Sequence, residues 1–571
     1  MLRILPPTLR AGAPDLPNVP PFVLSILATF LTPILTWFSS QVYRLLLTRC
    51  ANHPLVRLAQ LYDLAPVVAA CQTYHHPPGT KGATPTYTIE QLVRAEFVRA
   101  WADSCSDPEL EWLLASNLIV RWFVDLPLLA PTPDHSTLNR FHAFLTDHQP
   151  AALFVDVLSF LDRLDPEDPA RTPQIVDTFA LASPAAPSPA PDHLLRHLTR
   201  RLIALWQAQA PTSLQAALPP LDLGPLLRVP LPHTAAERQQ LLQQAVTLAT
   251  WLVEGLRPHL LRLEGPLRDA VALQIGAIEK VIADETTTDA AGRVQERALK
   301  DKGDYRLMSA IDLESTFRKH DGTPAVFGTN AVIATTTTRI RACVTLTGST
   351  PDSEAPMAVL AQQQAAEQPL PPLLIMDQAG GLGKTRARLD ALSNGATMIV
   401  ARIPQAGGVD LSRFTPADFR VSADGASCTC PNGVVSRHAY RKPGADGVHF
   451  RFLASECRDC PLWNDCRDPQ ANERGHRTVY ITPYHLYLRA AARFNATDEG
   501  KALLKSRWQV EPTVAWLVRY QGCRQARRVG LAAAQCQLFQ ACAVRNLLLW
   551  LSRLDRGLAQ RPAATELCRA V

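Results

Sequence analysis

Apolar positions recur at helical spacing through most of the chain and form strand-like runs in only a few places. Ile89, Leu92, Val93, Phe97 and Trp101 fall on one helical face, and Thr88 with Gln91 forms a capping box ahead of them. Two more helices are predicted near 108–124 and 136–147, the second entered through Asp134 or Ser136 as cap. A short strand is predicted at 174–181, followed by the proline-rich linker 183–192. From 192 to about 302 the pattern is helical. Leu195, Leu198, Leu202 and Leu205 form a stripe, and Thr234 with Glu237 makes a second capping box. Strand chemistry returns at 331–347, a β-branched run able to fold as a hairpin, and then at 373–377 and 397–402 around a helix at 384–393. Residues 484–554 read as long helices. Few strands flanked by many helices predict an α/β core with helical insertions.

One apolar run does not alternate. Residues 16–43 carry no charge, and Phe22 to Phe38 is almost continuously apolar. Seventeen residues interrupted by Pro33 are short for a membrane span, so a buried helix is expected and no stable membrane association; an anchor is the alternative. From the proline-broken start no cleavable leader is expected.

At 571 residues the chain calls for several domains, and 47% apolar with 19% charged residues excludes a largely disordered protein. The net charge of +6 is small, but it is unevenly placed: residues 501–571 hold 12 Lys/Arg against 3 Asp/Glu. That basic end implies a polyanionic partner. Five of the thirteen cysteines fall between Cys428 and Cys466, which fits a metal site plus buried thiols in a reducing compartment.

Four features could carry chemistry. Asp177 and Asp377 each follow an apolar strand, where a rigid backbone and open surface suit a carboxylate to a hard cation. Glu511 lies one helical turn after Arg507, and Arg519, Arg524, Arg527 and Arg528 follow it as candidate DNA phosphate contacts. Cys430, Cys457, Cys460 and Cys466 could close a four-sulfur structural zinc site, with Cys428 as rival for the first ligand. Gly380, Gly381 and Gly383 ahead of Lys384 lack phosphate-loop spacing and read as a tight turn.

Together these residues resemble the DDE transposases of bacterial insertion sequences. The likeness is carried by Arg121-Trp-Phe123 and Pro133 to Phe141, by the cysteine block, and by Arg507-x-x-x-Glu511, Tyr520-Gln-Gly522 and Arg545-Asn-Leu547. It implies an α/β, RNase H-like mixed-sheet core at 170–404 and 480–555, split by a helical insertion at 190–302 and a cysteine-rich, zinc-binding insertion at 405–479. An N-terminal all-α part precedes it: a helical region at 1–80 and a helical DNA-binding domain at 85–150. It also implies Asp177, Asp377 and Glu511 as ligands of catalytic Mg²⁺ (or Mn²⁺), with Arg507 positioning Glu511 or a phosphate and Asp312 as the alternative first carboxylate. The implied activity is cleavage and strand transfer of the element's DNA. Terminal inverted repeats and target DNA would be partners, a homo-oligomer would assemble on DNA, and the protein would sit in the cytoplasm at the nucleoid. A catalytically inactive, DNA-binding descendant is the alternative.

Overall fold

The computed structural model describes residues 21–75, 85–169, 171–188, 190–218, 234–303, 305–319, 322–404, 413–467 and 476–562, with the side chains of 21–32 left out. Its centre is a mixed sheet. Strand β1 (Gln174–Ala182) pairs antiparallel with β5 (Val326–Thr335), and β5 carries both β4 (Thr316–Arg318) and β6 (Ile340–Thr347) on its other edge. On the far side of β1 lie β7 (Leu373–Ile375) and β8 (Met398–Val400), both parallel. Helix Ala355–Ala365 connects the hairpin to β7, and Gly383–Ser393 connects β7 to β8. Each predicted strand is present, and the 331–347 run is a hairpin.

Side chains alternate across this sheet and feed two cores. Val176, Val332, Ala334, Leu374, Met376 and Ile399 face the two connecting helices through Val359, Leu360 and Leu389. Ile175, Phe179, Leu181, Ile333, Ile375 and Val400 face the other way, onto helix Leu531–Asp555 and the N-terminal helices. Edge strand β6 is closed by side-chain amides. Asn546 accepts from the Ile340 N–H at 2.7 Å and donates to the Ile340 carbonyl at 3.0 Å, and Gln535 accepts from the Thr345 N–H at 2.7 Å. Gln362 pairs with both backbone groups of Cys343. These bonds cover groups that would otherwise template another strand. They also give Asn546 of the Arg545-Asn-Leu547 motif a structural reason.

The N-terminal part is more finely divided than the three-helix pattern predicted. Helices Pro54–Leu61, Ala65–Ala70, Ile89–Trp101, Asp107–Ser116, Leu118–Phe123, His135–His148 and Ala152–Leu164 share one core with the inner face of the sheet. Both Thr88 and Gln91 make their reciprocal cap bonds at 3.1 Å, and Asp134 caps its helix by accepting from the Thr137 N–H.

The apolar run lies in helix Pro21–Arg49, a helix as expected; the burial of 22–32 lies outside the described side chains. Ser39 and Tyr43 dock on the 126–128 turn, where the Tyr43 hydroxyl donates to the Leu126 carbonyl at 2.7 Å. Ile34, Trp37, Phe38 and Leu45 face solvent. Among the described residues no helix is long and apolar enough to cross a membrane.

The segment between β1 and β4 builds its own core. Leu195, Leu198, Leu202 and Trp206 of helix Pro191–Gln209 pack on Leu252 of Ala235–Leu256 and Ile278 of Gly265–Glu285. A small hairpin, β2 (Thr286–Thr288) and β3 (Val294–Glu296), closes it. Between β8 and the C-terminal helices stand two three-stranded sheets. One is β9 (Arg420–Val421), β10 (Cys428–Thr429) and β11 (Val435–Ser436); the other is β12 (Ala439–Tyr440), β13 (Val448–Phe452) and β14 (Arg477–Ile481). They share a core of Phe419, Cys428, Phe450, Phe452, Val479 and Ile481.

Candidate active site

Strand register brings the two aspartates together. Ile175 of β1 is paired with Ile375 of β7 in parallel, and Asp177 and Asp377 each lie two positions further on. In a parallel pair, equal offsets keep residues abreast, and an offset of two keeps both on the face of Ile175 and Ile375. That is the face on which the C-terminal helices pack. Arg507–Val510 forms a single 3-10 turn lying against β1, and it leads directly into helix Glu511–Tyr520.

Arg507 joins the third carboxylate to the first. Its guanidinium lies 3.8 Å from Asp177 Oδ1 and 3.5 Å from Glu511 Oε1. The Glu511 side chain is 61% exposed, whereas the side chain of Asp177 is 22% exposed. Asp377 heads the turn 378–381 and accepts from the Ala379 N–H at 3.0 Å, which fixes one oxygen and leaves the other open. Burial pushes the Asp177 carboxyl above its ordinary value, and nearby Asp377 pushes the same way, while the Thr178 N–H, Arg507 and Arg318 oppose it. Two carboxylates abreast, one of them partly desolvated, favour a cation between them.

The glycine run after Asp377 is a packing requirement. A Cβ at Gly381 would meet the Arg402 carbonyl oxygen at 1.9 Å, and one at Gly383 would meet Tyr484 Cβ at 2.6 Å. The tight-turn reading therefore holds.

Asp312, the alternative first carboxylate, is used elsewhere. It is buried beneath the end of β1 and accepts from Ser183 Oγ at 2.5 Å, Ser315 Oγ at 2.6 Å and the Ser315 N–H at 3.2 Å. A carboxylate so committed braces a loop. The basic residues also divide. Arg519 and Arg524 are exposed. Arg527 donates to the Ser104 and Asp103 carbonyls, and Arg528 pairs with Asp107 at 2.9 Å, so both tie the C-terminal helices to the N-terminal ones. At this joint Gly522 has φ +69°, and a Cβ there would meet the Asp103 carbonyl oxygen at 2.3 Å.

Two residues beside the aspartates went unnoticed in the sequence. Arg318 of β4 donates to Thr178 Oγ1 at 2.8 Å and pairs with Asp352 at 3.3 Å; Asp352 also accepts from Asn330 at 2.8 Å. The 352–354 turn touches the 378–381 turn that Asp377 opens. Strand pairing alone brings Arg318 there, and no local spacing announces it.

In the cysteine block, Cys430, Cys457, Cys460 and Cys466 line one cavity together with Phe414, Trp463 and Arg477. Cys428 instead points into the apolar core with no exposed surface, where burial pushes its thiol up to about 11. Among the described residues no group of three or more His, Cys, Asp or Glu is close enough to hold a metal ion as it stands.

Comparison with known families now bears on this geometry. Residues 429–549 match the Transposase DDE domain, and residues 45–143 match the Transposase domain (DUF772). The two matched segments are the halves of the joint at Gly522 and Arg528, and the first takes in the four cavity cysteines and Glu511. These matches support a DDE transposase of an insertion sequence. No curated protein and no solved structure matches it. DNA is therefore its partner, and its domain implies nuclease and transposition activity that depends on divalent metal ions.

Proposed function

We propose that Asp177, Asp377 and Glu511 are the catalytic carboxylates of this transposase. The observation that carries the reading is the register of β1 and β7, which sets the two aspartates abreast on the face where the Glu511 helix arrives. The donor set fits Mg²⁺ or Mn²⁺, hard cations that take carboxylate oxygens. Two such ions, when bound, activate the attacking oxygen and stabilise the leaving one at a phosphodiester. The residues themselves do the rest. Asp177 and Asp377 are held by strand and turn, and the exposed Glu511 closes onto them. Arg507, set between Asp177 and Glu511, would position these carboxylates to hold the cations and can pair with the scissile phosphate. Arg519 and Arg524 contact the DNA backbone further along.

The terminal inverted repeats of the element and its target DNA are the substrates, and a homo-oligomer assembled on DNA brings the two ends together. Residues 170–404 and 480–555 form the catalytic domain, RNase H-like in its strand order. Cys430, Cys457, Cys460 and Cys466 bind a structural zinc ion on closing their shared cavity; Cys428 stands apart from that set. The test is strand cleavage of a terminal-repeat duplex in Mg²⁺. Alanine at Asp177, Asp377 or Glu511 is expected to abolish cutting by at least about a thousandfold while sparing DNA binding. Variants that cut as the wild type does would overturn the assignment, as would a wild type that fails to cut in either Mg²⁺ or Mn²⁺.

A further inference from the structure

The outer face of the β12–β13–β14 sheet carries a feature that cleavage does not use. Its inner face is apolar, with Phe450, Phe452, Val479 and Ile481 buried. On the outer face, Tyr440, His449 and Tyr480 are directly paired across the three strands. Tyr440 and His449 stack with ring centroids 5.1 Å apart and planes 15° from parallel; His449 and Tyr480 follow at 4.9 Å. Tyr480 is pinned, since the Gly447 N–H donates to its hydroxyl at 3.2 Å and a Cβ at Gly447 would lie 2.8 Å from its ring. Tyr440, on the edge strand β12, is 42% exposed and ends the ladder. Around it, residues 437–451 hold Arg437, Arg441, Lys442 and Arg451, all exposed, against one acid, Asp446.

Cross-strand aromatic pairs stabilise a sheet, which accounts for rings touching one another. It does not account for an aromatic face turned to solvent at the edge, nor for four cations set around it. A row of rings beside basic side chains matches unpaired nucleotides: every base has a face to stack, and every linkage has a phosphate to pair. We propose that this face is a binding platform for single-stranded DNA, in which Tyr440 stacks on a base while Arg441, Lys442 and Arg451 contact phosphates. It extends the transposase reading by giving a strand freed during the reaction a place to rest, outside the carboxylate centre.

Binding is measured on the full chain with no Mg²⁺ or Mn²⁺ added and no chelator present, so the result does not depend on the catalytic assignment. The probes are a fluorescently labelled oligothymidylate, an abasic oligodeoxynucleotide of equal length, and a duplex, followed by anisotropy. The wild type is expected to favour the oligothymidylate over the abasic strand. Tyr440→Ala and Tyr440→Leu should weaken oligothymidylate binding about tenfold, leave the abasic strand unaffected, and be rescued by Tyr440→Trp. The Arg441→Ala/Lys442→Ala double variant should weaken both strands and flatten the salt dependence. Equal wild-type affinity for the two single strands would overturn the proposal. Unchanged oligothymidylate binding by Tyr440→Leu, whose apolar side chain preserves the strand, would do the same.

Discussion

At the scale of single residues, the aspartates separate by what surrounds them. Asp177 and Asp377 keep open oxygens, whereas Asp312 is saturated by two serine hydroxyls and an N–H. Asp312→Ala would leave those donors unpaired, so it should cost about 1–3 kcal/mol of stability and lower Tm. Cleavage per folded molecule should persist, unlike in Asp177→Ala. Urea titration and a cleavage assay on the same preparations check both halves. The cysteines separate similarly. The Cys428 thiol, raised to about 11 by burial, should resist alkylation at neutral pH in the native state. Asp377 follows the end of β7, as its place after an apolar run predicts, but Asp177 lies within β1 rather than at a strand end, because the strand runs on through Phe179 and Leu181. Arg318 and Asp352 were not legible in the sequence, because the Arg318–Thr178 bond spans 140 positions along the chain.

At the scale of elements, the N-terminal helices are locked by a buried charge network. Glu96 accepts from Arg99 and His142, Arg99 also reaches Asp107 at 2.7 Å, and Arg528 meets the same aspartate. Burial alone would raise the Glu96 carboxyl, but Arg99 and His142 outweigh it and hold it down from the ordinary 4.5 to about 2. A depressed folded-state value stabilises the fold above the unfolded value, and that stability is lost as pH falls through the folded one. Stability should therefore drop between about pH 5 and pH 2, by on the order of 3 kcal/mol from this group. Glu96→Gln should flatten the curve in that window when followed by chemical denaturation. Gly522→Ala attacks the joint from the other side, forcing a Cβ against the Asp103 carbonyl at positive φ. It should destabilise by about 1–3 kcal/mol and reduce cleavage more than DNA binding, because it shifts the helix bearing Glu511. Helix caps were readable at Thr88 and Thr234, where donor and acceptor are three residues apart. The exposure of Trp37 and Phe38 was not, because hydrophobicity alone does not say whether a face finds a partner.

Across the whole molecule, the sheet separates two apolar cores, and Asp177 and Asp377 lie on its two central strands, β1 and the end of β7, on the face packed against both matched transposase segments. The segment between β1 and β4 keeps its own core and so adds bulk without disturbing the strand pairing. Periodicity announced that segment, and the order of strand, hairpin, helix and strand was legible from it. The parallel pairing of β1 with β7 was not, since it joins residues 200 positions apart. For the cysteine block, zinc added to metal-free protein should raise Tm, with Cys460→Ser removing the effect and Cys428→Ser retaining it. Asp177 and Asp377 together should seat a divalent cation. Anomalous diffraction from crystals of the protein with terminal-repeat DNA and Mn²⁺ locates that ion directly. A peak between the two carboxylates, absent in Asp377→Ala, is the predicted result; Mn²⁺ found only elsewhere, or unchanged by that substitution, would contradict it.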